Sequence, residues 1–150
     1  MIIQEQNSQK HIYLADDDND DRAIFADALK QVDNSIILTQ AEDGEQLMEI
    51  LYVPPTPLPN IIFLDLNMPK RNGFECLKEI RNHQDLKDLN VIVFTTSNNP
   101  QNIETALELG ASFYAVKPTT FDGLKKLIDN FLKTDWSYPE LRKNQNFNFA

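Results

Sequence analysis

The chain contains one cysteine, Cys76, in 150 residues, so an intramolecular disulfide is excluded. Positive charge is scarce. Fourteen Lys and Arg stand against 23 Asp and Glu, giving a formal charge of −9 and a pI near 4.6. With no basic stripe to offset that balance, the phosphate backbone of DNA or RNA is excluded as a direct partner. No apolar run approaches the ~20 residues that span a bilayer. The leading "MIIQEQNSQK" has no apolar stretch of signal-peptide length, so a reducing cytoplasm is the expected compartment. The two histidines, His11 and His83, are far apart and have no partners at metal-ligand spacing, which leaves them structural or surface roles. A length of 150 residues fits one domain with a real hydrophobic core.

What the chain does have is a regular alternation. Short apolar runs at residues 12–15, 36–39, 61–64, 91–94 and 113–116 are separated by longer amphipathic segments. Most of the runs are continuous, as parallel strands covered on both faces require. The segments between them carry helical spacing: Ile24, Phe25, Ala28, Leu29 and Val32; then Leu47, Met48, Ile50 and Leu51; then Phe74, Leu77 and Ile80. Asn99-Pro100 opens a fourth helix with Ile103, Ala106 and Leu107, stopped by Gly110, and Phe121, Leu124, Leu127, Ile128 and Phe131 mark a fifth. Strand–helix repeats with right-handed crossovers give an α/β doubly wound domain, in which ligands bind beyond the carboxyl ends of the strands. The proline-rich "VPPTPLPN" (53–60) then falls on the opposite pole, as a stiff connection without chemistry.

The ends of the runs carry the chemistry. The first gives Asp16 and Asp17, the third Asp65, the fourth Thr95, and the fifth Lys117 followed by Pro118. In a parallel sheet these meet at one pole. Two carboxylate charges about 4 Å apart repel by roughly 4 kcal/mol at an effective dielectric of about 20. Three carboxylates therefore need counter-charges, and a lysine ammonium and a hard divalent cation supply them. Mg²⁺ suits a site of few carboxylates, water and a phosphate. The remainder of the acidic run, Asp18, Asn19, Asp20 and Asp21, is expected to cap the first helix or sit near its positive end.

On "YLADDD", "AEDGEQL", "IIFLDLNMPKRNGFE", "VIVFTTS" and "GASFYAVKP", residues 11–133 resemble the response regulator receiver domains of two-component signalling. The resemblance implies a flavodoxin-like five-stranded parallel sheet of order 2-1-3-4-5 with five helices. It implies that Asp65 accepts a phosphoryl group from a phosphohistidine of a histidine kinase or phosphotransfer protein. Asp16, Asp17, Asp65 and the carbonyl of Asn67 would hold Mg²⁺, Lys117 would pair with a phosphoryl oxygen, and Thr95 would donate its hydroxyl. Asn67 and Ser97 would tune the lifetime of the adduct. Thr95 and Tyr114 would form the switch, read by a downstream protein on a face of roughly residues 100–132. Such a protein is no enzyme in the usual sense, although it assists its own phosphorylation and dephosphorylation. Thr96 departs from the family, being bulkier than the small residue usual there.

Residues 1–10 read as a lead segment and 134–150, "TDWSYPELRKNQNFNFA", as a tail too short for an effector domain. A stand-alone receiver is the expectation, with Trp136, Tyr138, Phe147 and Phe149 available to fold back or to form a homodimer. Two other readings are a phosphorylation-independent interaction module, which would lack an acidic or lysine position, and an aspartate-nucleophile phosphatase. For the latter, Asn67 stands where a second aspartate would act as general acid.

Overall fold

The continuous apolar runs become the inner strands: β1 (His11–Ala15), β3 (Ile61–Leu64), β4 (Asn90–Thr95) and β5 (Phe113–Val116), with β3 buried at every residue. β2 (Ile37–Ala41) is set slightly later than its apolar run and exposes Ile37 and Gln40, because it forms an edge of the sheet. A computed structural model describes residues 10–53, 58–134 and 148–149. The helices among these are α1 (Asn19–Val32), α2 (Gly44–Tyr52), α3 (Gly73–Asn82), α4 (Pro100–Glu108) and α5 (Phe121–Lys133). All strand pairs are parallel in the order β2-β1-β3-β4-β5, the flavodoxin-like order expected. A two-residue β6 (Asn148–Phe149) extends the sheet beyond β5, pairing Asn148 with Tyr114 and Phe149 with Ala115. Two residues carry no readable periodicity, so this strand was not foreseen. Trp136, Tyr138 and Phe147, and residues 54–57 of the proline-rich loop, lie outside the described residues.

Short polar side chains start the helices at the pole where the strands end. Asp18 caps α1 by accepting from the backbone of Asp20 and Asp21, and Asp43 caps α2 through Gln46. Asn72 and Glu75 close a reciprocal capping box on α3, Asn99 precedes Pro100 at α4, and Thr120 caps α5. Each cap fixes where a loop ends, and therefore where the strand-end side chains sit.

The sheet is covered on both faces. On one, Leu47, Met48, Leu77, Ile80 and Ala106 of α2, α3 and α4 pack on Val91, Val93 and Tyr114. On the other, Phe25, Ala28 and Leu29 of α1 and Leu124, Leu127, Ile128 and Phe131 of α5 pack on Phe63, Phe94 and Phe113. There Phe63 meets Phe25 and Phe94 edge to face at centroid distances of 5.0 and 5.6 Å. Three positions of the apolar stripes turn outward instead: Ile24 is 46%, Leu107 49% and Phe121 38% exposed. In α1 the inward place goes to Arg22, and α4 buries only Ala106. At the opposite pole the Arg81 guanidinium ties α3 to the carbonyls of Lys87, Leu89 and Gly110.

Candidate functional site

The sheet's backbone ladder runs one residue past the strands and sets the acidic pole. Asp16 N–H donates to Ala41 O at 3.1 Å, Asp65 N–H to Ala15 O at 3.0 Å, and Lys117 N–H to Thr95 O at 2.8 Å. These bonds hold the ends of β1, β3 and β5 level, although their residues are separated by up to 101 positions in the chain. Asp16, Asp17 and Asp65 each present a carboxylate oxygen, and the three atoms lie within 4.8 Å of one another. Asp16 and Asp65 are buried and Asp17 is exposed, so the cluster opens to solvent on one side.

Lys117 bridges the cluster. Its Nζ lies 2.7 Å from Asp16 Oδ2, 2.9 Å from Asp21 Oδ2 and 3.4 Å from Asp65 Oδ2. It also sits 5.7 Å from the centroid of the Phe94 ring. Burial works against its charge, but hydrogen bonds to Asp16 and Asp21 and the charge of Asp65 outweigh that and raise its pKa. The Asp65 pKa is raised as well, which for a carboxylate disfavours the charged form. Burial raises its pKa, Lys117 counteracts, and the neighbouring Asp16 adds to the rise. The other oxygens of the pair are turned to the backbone: Asp16 Oδ1 accepts from Asp18 N–H at 3.0 Å and Asp65 Oδ1 from Asn67 N–H at 3.4 Å.

The loop after β3 is shaped by a close approach. A Cβ on Gly73 would stand 2.3 Å from the carbonyl oxygen of Asp65, so only glycine lets the start of α3 pass so close to Asp65. Within the same turn Lys70 takes φ 67, a left-handed conformation that costs a non-glycine residue roughly 1–2 kcal/mol. A cleft of about 430 Å³ adjoins this loop, lined by Asp17, Asn67, Met68, Phe74 and Asn102 among others.

Thr95 ends β4 and is fully buried, its Oγ1 accepting from Ser97 N–H at 3.4 Å. Val93 pairs with Tyr114, so by strand alternation Thr95 and Tyr114 share one face of the sheet. Tyr114 has no exposed surface, and its hydroxyl donates to Ser97 O at 2.7 Å. The loop after Thr95 is thus held by the tyrosine from below. Ser97 Oγ is turned toward α4, accepting from Asn102 Nδ2 at 2.9 Å.

The structure therefore brings Asp16, Asp17, Asp65 and Lys117 into one group, with Asn67 on its rim and Thr95 buried at the neighbouring strand end. Two members were not read from the sequence in these roles. Asp21, expected to cap α1 or to sit near its positive end, does lie in the first turn while Asp18 provides the cap, and its carboxylate pairs with Lys117. Arg22 is buried and donates to the carbonyl of Asp16 at 2.7 Å and to the side chain of Asn19. The signal for both was helical spacing: residues 21, 25, 28 and 32, and 22, 25 and 29, each follow the inward stripe of α1.

A parallel sheet of this order with an acidic, lysine-bridged pole defines a receiver domain. A family model for the response regulator receiver domain matches residues 12–129, and the chain belongs to that family. Response regulator Rcp1 of Synechocystis sp. is 35% identical over 130 residues, covering 83% of this chain and 87% of that protein. The crystal structure of the Mn²⁺-bound form of Rcp1 matches with a TM-score of 0.75 at 33% identity, covering 84% of this chain and 96% of that one. The phosphorylated cyanobacterial phytochrome response regulator RcpA matches with a TM-score of 0.77 at 28% identity, covering 83% and 91%. The protein is a response regulator receiver of two-component signalling, and the pocket of Asp16, Asp17 and Asp65 fits its phosphorylation site.

Proposed function

We propose that Asp65 accepts a phosphoryl group from a phosphohistidine and that the adduct switches the domain between two states. The observation that carries this reading is the convergence of Lys117 on Asp65 and Asp16 beside the exposed Asp17. In the transfer an Asp65 carboxylate oxygen forms the new bond to phosphorus. The N–P bond of the donor breaks and its imidazole leaves with the electron pair. Positioning and neutralising the equatorial oxygens does most of the work in such a step.

The hard oxygen donors of Asp16, Asp17 and Asp65, with the Asn67 carbonyl on the rim, fit a divalent cation, and Mg²⁺ is the one we assign. Its chemistry when bound is to neutralise phosphoryl oxygens. Lys117 supplies the second positive charge and fixes one phosphoryl oxygen, and the Thr95 hydroxyl moves up from the β4 end to hold another. Because Tyr114 and Thr95 both contact the Ser97 backbone, a shift of Thr95 alters the support of that loop, and a ligand that prefers one arrangement shifts the population. Asn67 and Ser97 flank the approach of water and tune the lifetime of the adduct.

A protein donor suits the surroundings. Between α1 and α5, Ile24, Phe25, Phe94, Phe121 and Leu124 line an apolar trough of about 350 Å³ that ends at Lys117, with Ile24 and Phe121 exposed on its rim. Thr96, the departure from the family, is exposed in the wall of this trough and narrows the approach. The phosphodonor is a sensor histidine kinase or phosphotransfer protein in the cytoplasm, and the output is a contact with a downstream protein.

The test is incubation with Mg²⁺ and acetyl phosphate, read as a mass increase of one phosphoryl group. Asp65→Asn is expected to abolish the adduct, and an adduct of undiminished yield in that variant would remove Asp65 from the role. Catalytic turnover of a phosphate ester would instead mark a phosphatase.

A further inference from the structure

One partner of Lys117 has no part in the chemistry just described. Asp21 sits in the first turn of α1, and helix capping does not occupy it, because Asp18 accepts the amides of Asp20 and Asp21. Its Oδ2 is instead 2.9 Å from Lys117 Nζ. An ammonium has three protons to donate, and Asp16, Asp21 and Asp65 take up all three. A phosphoryl oxygen that needs Lys117 must displace one of them. Asp16 holds the shortest contact, 2.7 Å, with a side chain only 2% exposed. Buried there, the Asp16 oxygen has no water to replace the ammonium if that contact is given up. Asp65 is the group that carries the phosphorus. The Asp21 side chain is 40% exposed, so it returns to water at the least cost.

We infer that Asp21 is a positioning residue acting through Lys117, an internal counter-anion that competes with the phosphoryl group for the ammonium and weakens the site's hold on it. The inference rests on the phospho-acceptor reading above. A second effect has the same sign, since a carboxylate beside Lys117 also repels the incoming anion directly.

Beryllofluoride, titrated into the full chain at saturating Mg²⁺ and followed by fluorine NMR, tests this. Asp21→Asn is expected to bind the probe about three- to fivefold more tightly, the scale of one half-exposed ion pair. Asp21→Glu, which restores the charge, is expected to return the affinity toward the original value. Mg²⁺ affinity, measured separately, should stay equal or fall in Asp21→Asn, because losing a carboxylate cannot help a cation. That opposition separates competition for Lys117 from a general tightening of the fold. Equal or weaker beryllofluoride binding by Asp21→Asn, in a protein whose thermal melt shows it folded, overturns the inference. So does a gain that Asp21→Glu keeps in full. Binding by the parent protein that vanishes in Asp65→Asn but is unmoved in Asp21→Asn defeats this inference alone. Failure of the parent protein to bind, or equal binding by Asp65→Asn, defeats the phospho-acceptor reading with it.

Discussion

At the scale of the residue, Asp65 is held at odds with its own charge. Burial first, and Asp16 next, raise its pKa above the ordinary 3.8 despite Lys117. The folded chain therefore keeps this proton more tightly than the unfolded chain does. Below the unfolded value the two states are equally protonated and nothing is lost. As pH rises through 3.8 and past the raised folded value, the unfolded chain sheds its proton first and stability falls. Ionised Asp65 is thus a cost to the fold at neutral pH. In metal-free buffer, Asp65→Asn is expected to melt at a higher temperature than the parent at pH 7, with the gap closing as pH falls toward 4. A calorimetric series across that range checks it, and a gap that widens in acid would contradict the sign. An aspartate after an apolar run is by itself a common helix cap, so Asp65 stood out in the sequence only together with Asp16, Asp17, Thr95 and Lys117 at the other strand ends.

At the scale of the element, α3 is placed by what it lacks. Gly73 begins the helix where any side chain would meet the Asp65 carbonyl oxygen at 2.3 Å and the Leu66 Cα at 2.9 Å. Its N–H also bonds Leu66 O at 2.9 Å. Gly73→Ala must push the helix start away from β3 or bend the acceptor loop. A loss of about 1–3 kcal/mol is expected, as for other overpacked sites, together with slower phosphoryl uptake from acetyl phosphate. Chemical denaturation and the uptake rate measure the two effects. Glycine is needed here because of a near contact, while the left-handed position in the turn belongs to Lys70. Propensity rules describe a residue's own backbone and are silent on what lies across from it.

At the scale of the whole molecule, the site exists only while every strand end stays in register. Its parts come from the ends of β1, β3, β4 and β5 and from the first turn of α1, so local order in any one of them is not enough. Cys76 offers a probe of that integrity. It is fully buried in α3, with Sγ 3.6 Å from the Gly44 carbonyl oxygen, and burial pushes its thiol pKa up to about 12. At pH 8 the native thiol is expected to resist an alkylating reagent and to react only when the domain opens. Labelling rates followed through a denaturant titration should therefore track global unfolding, and fast labelling of the native protein would show that α3 opens by itself.

By itself the amino-acid order determined the alternation of strand and helix, because a period of two or of 3.6 and an apolar run are local properties of the chain. It also determined the candidates Asp16, Asp17, Asp65, Thr95 and Lys117, because each stands within two residues of the end of such a run. Only the tertiary structure decided which neighbour each charge would have. Asp21 and Asp18 are both acidic residues at one helix start, yet one caps the backbone and the other binds a lysine 96 positions away. Ile24, expected on the inward stripe, is likewise 46% exposed, while Arg22 is buried. A side chain's partner is set by distances across the sheet, and those distances come into being when the layers pack.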